Sequence, residues 1–110
     1  MITAAVSSNA CVVAEKDNAL IGFAIISYTF FGFGFVDLLM VAEKYRRLGV
    51  GSALLDYWVE NCKTEKLFTS TNESNTPMQN LLTKNGFTFC GKIDGLDEGD
   101  PEWFYMVYLR

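Results

Sequence analysis

The stretch that decides the fold of this chain is Val41-Ala-Glu-Lys-Tyr-Arg-Arg-Leu-Gly-Val-Gly-Ser-Ala-Leu-Leu55, which follows the apolar run 35–41. It predicts a strand, a polar turn and then an amphipathic helix. The first amides of a helix have no intrahelical partner, and the helix dipole leaves them partly positive. Gly49 and Gly51 lack the Cβ atoms that would keep a phosphate from the backbone. Residues 46–52 therefore predict a phosphate or pyrophosphate site, with Arg46 and Arg47 adding charge at its rim.

Two other glycine-rich phosphate motifs do not fit this stretch. A Walker A loop requires a lysine after its last glycine, and here Gly51 is followed by Ser52. A dinucleotide-binding G-x-G-x-x-G requires a glycine at the position of Leu54. A purely structural alternative stays open, in which both glycines only permit tight packing in a strand-to-helix turn.

The composition predicts one ordered domain with a modest core, because half of the 110 residues are hydrophobic and 15% are aromatic. No apolar stretch reaches the roughly 20 unbroken residues of a membrane helix, and residues 1–10 carry no basic residue of a secretory signal. A net charge of −4 argues against general nucleic-acid binding. Three cysteines without CxxC spacing predict reduced thiols and a cytoplasmic location. The acidic run 94–102 is interpreted as a solvated loop, with a substrate-attracting patch as the alternative.

The predicted elements have the order βββ-α-β-α-ββ. Strands are expected at 11–15, 20–28 and 35–41, a helix at 50–62, a strand at 67–71, a second helix opened by Thr76-Pro-Met-Gln79 and closed by Asn85-Gly86, and strands at 87–93 and 103–109. Continuous apolarity in the first strands indicates a sheet covered on both faces. The predicted class is α/β (α+β), with a mixed, mostly antiparallel sheet. The first helix should bury one stripe, formed by Val50, Leu54, Leu55, Trp58, Val59 and Cys62.

Two motifs resemble those of the GNAT N-acetyltransferases. Arg46-x-x-Gly49-x-Gly51 is similar to the family's acyl-CoA signature (Q/R)-x-x-G-x-(G/A), and Asn75, a helix and Asn85-Gly86-Phe87 are similar to a second family segment. The element order also matches the GNAT fold from its second strand to its last. The resemblance implies a single domain over 1–110 with helices on both faces of the sheet. It also implies a shortened N-terminus, since only residues 1–10 precede the first predicted strand.

The resemblance further implies where acetyl-CoA, the acyl-donor cosubstrate, would lie. The amides of 48–52 would hold its pyrophosphate, and the fourth strand, splayed away from 67–71, would pair with the pantetheine arm. The alternatives are a solvated turn for the arginines, an ordinary core strand for 39–41 and a helix-capping turn for Asn75. The cofactor-binding residues implied are Leu39, Met40, Val41, Arg46, Arg47, Leu48, Gly49, Val50, Gly51, Ser52 and Asn75.

Acyl transfer to an amine needs a group that removes a proton from the nucleophile. The sequence contains no histidine, so no metal site is expected and carboxylates are the main candidates for a base. Asp37 interrupts an apolar strand near the implied acetyl site, and Glu43 follows that strand; their alternatives are an outward-facing or paired residue and a solvated turn. Ser70 and Leu82 stand where some GNAT enzymes have a glutamate base and many have a tyrosine acid.

The expected function is acetyl-CoA-dependent N-acetylation of a small-molecule amine or a protein amino group by direct transfer. The alternative is a non-catalytic acyl-CoA-binding or regulatory module. No nucleic-acid or membrane partner is expected. A homodimer is expected, because the strand starting at Cys11 would lie at an open flank of the sheet and an unpaired strand favours pairing. Alternatively, residues 1–10 fold back over that flank.

Overall fold

The computed structural model describes the chain from Thr3 to Arg110, and its side chains from Asn9 onward. In this part of the chain, seven strands form one sheet in the order β1-β2-β3-β4-β5-β7-β6, and all pairs are antiparallel except β4–β5. The predicted fold class is therefore confirmed. The elements are β1 Thr3–Ser8, β2 Cys11–Lys16, β3 Ala19–Phe30, β4 Phe33–Val41, a 3₁₀ turn Glu43–Tyr45, α1 Val50–Asn61, β5 Lys66–Asn72, α2 Thr76–Lys84, β6 Thr88–Ile93 and β7 Glu102–Tyr108.

The first strand, β1, was not expected from the sequence. It pairs with β2 from Thr3↔Glu15 to Ser8↔Cys11, so the open flank predicted at Cys11 is wrong and residues 3–8 occupy that edge. The segment Thr-Ala-Ala-Val-Ser-Ser has little apolar patterning, which is the signal that identifies a strand in a sequence. Its backbone groups, however, find hydrogen-bond partners along the edge of β2, and ladder pairing does not depend on side-chain type.

The helix α1 agrees with its prediction to within one residue. Its buried residues are Val50, Leu54, Leu55 and Trp58, and Cys62, just beyond its end, is 1% exposed. The Trp58 indole Nε1 donates to the carbonyl of Ala24 at 3.1 Å. This bond satisfies the buried indole N–H and fixes α1 on β3.

The helix α2 begins with a different cap from the one predicted. The side-chain oxygen of Asn75 accepts from the amide of Met78 at 3.2 Å, so Asn75 is the N-cap and Thr76 already lies in the first turn. The predicted Thr76–Gln79 capping box does not form, because the Thr76 amide donates to the carbonyl of Ser74 at 3.1 Å. The Gln79 side chain instead donates to the carbonyls of Asn72 and Glu73. Asparagine is among the strongest N-caps, which explains the shift by one residue.

Both helices lie on the same face of the sheet, so the prediction of helices on both faces is wrong for the described chain. A Cβ atom placed on Gly51 of α1 would lie 2.8 Å from Leu81 Cδ2 of α2, and the Asn85 side-chain amide donates to the Ser52 hydroxyl at 3.1 Å. The β4–α1–β5 crossover sets the side of α1. The apolar residues of α2 then join the same core, in which Leu82 is fully buried.

We call the side of the sheet under α1 and α2 the covered face, and the opposite side the open face. Successive strand residues point to opposite sides. The open face carries an aromatic group whose rings are in mutual contact: Phe30 lies 4.9 Å from Phe35, 5.1 Å from Phe68 and 5.9 Å from Phe104 between ring centroids. Among the residues described, no helix is long and apolar enough to cross a membrane.

Candidate functional site

The two central strands separate at one end of the sheet. The parallel ladder between β4 and β5 joins Gly34↔Leu67, Phe35↔Phe68 and Val36↔Thr69 and then stops. Beyond it β4 continues to Val41 paired with β3, while β5 continues to Asn72 paired with β7. We call this opening the splay. Its position confirms the predicted separation of 38–41 from 67–71, and it leaves the β5-facing edge of 38–41 without a strand beside it.

A bulge lies at the apex of the splay. Ile26 pairs with Val36 but Ile25 pairs with Leu38, so Asp37 is the extra residue on β4. Its carboxylate is exposed and accepts a hydrogen bond from the Ser27 hydroxyl at 3.0 Å.

The β4 arm of the splay contains the three residues predicted to receive the pantetheine arm. Leu39 and Val41 pack against the core, whereas Met40 is 45% exposed and, like its partner Phe23, lies on the open face. All three therefore border the opening, and their side chains are apolar, so any polar contact at this edge comes from the backbone.

The N-terminus of α1 follows this arm after the short 3₁₀ turn. Gly49 is the N-cap at φ 87°, and no side chain caps the helix. The first intrahelical bond runs from the amide of Ala53 to the carbonyl of Gly49 at 3.0 Å, which leaves the amides of Val50, Gly51 and Ser52 without intrahelical acceptors. A Cβ atom at position 49 would meet nothing within 4 Å. The helix end thus has both donors and room for an anion.

Positions 49 and 51 favour glycine for different structural reasons. The positive φ of Gly49 strongly favours glycine. The missing side chain of Gly51 instead makes space for Leu81, so the expectation that it clears space for a phosphate is wrong. The Ser52 hydroxyl is likewise engaged, since it accepts from Asn85. Only main-chain groups of residues 51 and 52 face the helix end.

Arg46 and Arg47 lie in the turn between the 3₁₀ turn and α1, and both are exposed. Arg46 Nε donates to the carbonyl of Val41 at 3.3 Å, which ties the turn to the end of β4. Arg47 is exposed and has φ 64°, a conformation uncommon for a residue with a Cβ atom and costing on the order of 1–3 kcal/mol. Leu48, also exposed, completes the turn before Gly49.

Glu43 and Asn75 lie where a purely structural role would place them, Glu43 in a solvated turn and Asn75 at a helix cap. Glu43 begins the 3₁₀ turn and is exposed. Asn75 caps α2 and is also exposed, and its side-chain oxygen accepts the capping hydrogen bond from Met78.

Four tyrosines, Tyr28, Tyr45, Tyr105 and Tyr108, pack against neighbouring groups. Burial raises the pKa of Tyr105, which is 4% exposed in the core. Burial also raises the pKa of Tyr28, whose hydroxyl accepts from the amide of Lys63 at 3.2 Å. The rings of Tyr45 and Tyr108 lie beside lysine side chains.

One carboxylate at the splay was missed from the sequence. The Ser70 hydroxyl donates to Glu102 Oε2 at 2.6 Å. The sequence placed Glu102 at the end of a solvated acidic loop, whereas it is the first residue of β7 and pairs with Asn72 and Ile93. Only the register of β5 against β7 brings Ser70 and Glu102 together, and no local pattern carries that information.

Comparison with known proteins defines the class. The sequence profile of the acetyltransferase (GNAT) family matches residues 3–87. This chain therefore belongs to the GNAT family of acetyltransferases. A crystal structure of a GNAT-family acetyltransferase from Bacillus cereus ATCC 10987 has a TM-score of 0.87 and 40% sequence identity, and the match covers 90% of this chain and 70% of that one.

Two further relatives are informative. An N-alpha-acetyltransferase of Sulfurisphaera tokodaii is 34% identical over an alignment of 91 residues. The match covers 68% of this chain and 54% of the relative, so the chain spans about half the length of that curated protein. A putative streptothricin acetyltransferase from Bacillus anthracis, solved in complex with acetyl coenzyme A, has a TM-score of 0.80 and 20% sequence identity. The match covers 94% of this chain and 65% of that one. At that identity the likeness concerns the fold.

Proposed function

We propose that this chain is an acetyl-CoA-dependent N-acetyltransferase that transfers the acetyl group directly to an amine of a small molecule or protein. The observation that carries the proposal is the continuity of the splay with the uncapped N-terminus of α1. An extended strand edge and a helix end with free amides suit a ligand that has an amide-containing arm and a pyrophosphate.

The residues present fit such a ligand. The amides of 50–52 together with Gly49 would bind the pyrophosphate, and Arg46 and Arg47 would add positive charge. The backbone of 39–41 would pair with the pantetheine arm as an added strand does. The Asn75 side-chain nitrogen is a further proposed donor to this arm. Bound acetyl-CoA would supply the thioester.

The acceptor amine is proposed to approach from the open face. On the covered face the apex of the splay is filled by core residues, since Thr69 is 2%, Tyr105 4% and Leu82 0% exposed. Asp37 lies at the accessible side of the apex and is a proposed base, held by Ser27. Glu43 is the weaker candidate, because it lies in the turn beyond the end of β4.

One observation favours the alternative of a non-catalytic acyl-CoA-binding module. Position 82, where many GNAT enzymes resembling this chain have a tyrosine acid, is a fully buried leucine here. A thiolate is an acceptable leaving group without an acid, so the transferase remains the first proposal. Release of free thiol from acetyl-CoA, across a panel that includes peptide α-amino groups, separates the two. Because Cys90 is an exposed thiol, the protein alone is the blank.

The cofactor site is tested by a matched pair of substitutions. Gly49→Asp places a carboxylate at the anion site, and Gly86→Asp places one at a glycine of nearly equal φ, 88° against 87°, with equally free space. Both variants should unfold at similar denaturant concentrations. Calorimetry should show acetyl-CoA binding weakened by about tenfold or more in Gly49→Asp only, because the anion loses the helix end and meets a negative charge. Equal affinities in the two variants would exclude this site.

A homodimer in the cytoplasm is also proposed. Because β1 covers the edge of β2, the proposed contact between the two copies lies on the open face, where Phe31 is 86% exposed beside Phe30. Cys62 and Cys90 are free thiols, in keeping with a reducing compartment. Neither a nucleic acid nor a membrane is proposed as a partner.

A further inference from the structure

We infer that the Ser70–Glu102 pair removes the proton from the acceptor amine, with Ser70 contacting the amine and Glu102 accepting the proton behind it. The inference rests on the proposed transferase function. The sequence singled out Ser70 but did not indicate its hydrogen bond to Glu102.

The position of Ser70 supports its contact with the amine. Val36↔Thr69 is the last pair of the β4–β5 ladder, so Asp37 and Ser70 are the first residues beyond it on the two arms. Ser70 pairs with Phe104 across β5 and β7, and Phe104 belongs to the open face. Ser70 therefore lies at the apex of the splay, on the side from which the amine is proposed to approach.

The surroundings of Glu102 support its role as the proton acceptor. The distance of 2.6 Å from Ser70 Oγ to Glu102 Oε2 lies in the range of about 2.5–2.7 Å for an O–H donor bonded to a carboxylate. Glu102 is partly buried, and its backbone is held between β5 and β6. Asp37, by contrast, is exposed and lies in a bulge. A carboxylate that is fixed and partly shielded from water is the better-placed proton acceptor.

The proposed step starts from a neutral amine hydrogen-bonded to Ser70 Oγ. The nitrogen lone pair forms the C–N bond to the acetyl carbonyl carbon, and the nitrogen becomes positively charged. An N–H proton passes to Ser70 Oγ while the Ser70 hydroxyl proton passes to Glu102 Oε2. The C–S bond breaks, and its electron pair leaves with the sulfur as thiolate. Glu102 then returns its proton to solvent and the thiolate takes one up, so the products are the amide and the free thiol.

The test uses Glu102→Gln, Ser70→Ala and the double variant, with Glu98→Gln as the control. Glu98 is an exposed carboxylate in the β6–β7 loop, outside the proposed site. Because general base catalysis contributes about 10²–10⁴-fold, Glu102→Gln should lower kcat by about 100-fold or more at unchanged acetyl-CoA affinity. The double variant should be no slower than Glu102→Gln, since both changes interrupt one proton path. Glu98→Gln should match the wild type.

The conservative variant separates a proton acceptor from a structural residue. Glu102→Asp keeps a carboxylate at this position of β7 and should retain more of the wild-type kcat than Glu102→Gln, because the amide of Gln cannot accept the proton. If Glu102→Gln does not fold, Ser70→Ala and Glu102→Asp carry the test. An active wild type with an unimpaired Glu102→Gln, or with the loss found in Asp37→Asn instead, overturns the inference alone. A wild type that binds acetyl-CoA but releases no thiol with any amine overturns the transferase proposal and this step together.

Discussion

The two faces of the sheet are made by the same strands but have different surroundings. In β3 the neighbours Ile25 and Ile26 show the difference: Ile26 is 2% exposed under α1, whereas Ile25 is only partly buried and pairs with Cys11 and Leu38 on the open face. Both faces are apolar, so the strands themselves do not distinguish them. The difference arises because α1 and α2 pack on the same side. Apolar patterning thus predicts which residues could form a core, and helix placement decides which of them do.

The largest expected effect tests this difference with one substitution at two adjacent positions. Ile26→Ala should lower the free energy of unfolding by about 2–5 kcal/mol, because it leaves a cavity under α1. Ile25→Ala should cost about 1 kcal/mol, because much of its surface already contacts water. Urea unfolding at low protein concentration, with the slope m compared between variants, measures both. Equal losses of unfolding free energy in the two variants would show that Ile25 on the open face is as well buried as Ile26 on the covered face.

A smaller effect concerns self-association through the open face. Light scattering of the wild type at tens of micromolar should give twice the 12.3 kDa chain mass. Phe31→Lys should restore the single-chain mass, because it places a charge in the proposed contact, and its side chain is too exposed to affect the fold strongly. Leu96→Lys is the control, since Leu96 is similarly exposed, at 63%, but lies in the β6–β7 loop. A wild type of 12.3 kDa under these conditions would contradict the dimer.

The smallest expected effect is a pH dependence of the free energy of unfolding, which arises from Tyr105 on the covered face. Burial raises the pKa of Tyr105, so the folded chain holds the phenol proton more tightly than the unfolded chain does. This contribution to stability is complete below the ordinary tyrosine pKa of about 10 and is lost as the pH rises through the raised value. In urea unfolding between pH 8 and 11, Tyr105→Phe should show a shallower alkaline decline than the wild type. Identical declines would mean that Tyr105 ionises equally well in both states.

Local signals predicted a large part of the fold. The buried stripe of α1 and the end of α2 near Asn85-Gly86 agree with the sequence, because each depends on residues close together in the chain. The splay after Val36 was expected only from the resemblance to GNAT enzymes, since it separates two strands far apart in the chain. The strand β1 was missed, because backbone pairing with an existing edge holds it and its apolar patterning is weak. Of the features that make up the candidate site, local signals indicated only the turn and the first amides of α1.

What the sequence by itself determined is therefore the order of elements, their apolar stripes and the glycine turn that exposes the amides of α1. The tertiary structure alone decided the coverage of one face, the contact of Gly51 with Leu81 and the pairing of Ser70 with Glu102. The physical reason is separation along the chain. Periodicity and turn chemistry act over a few residues, whereas these contacts join positions about 30 residues apart, which only crossover geometry and strand register bring together.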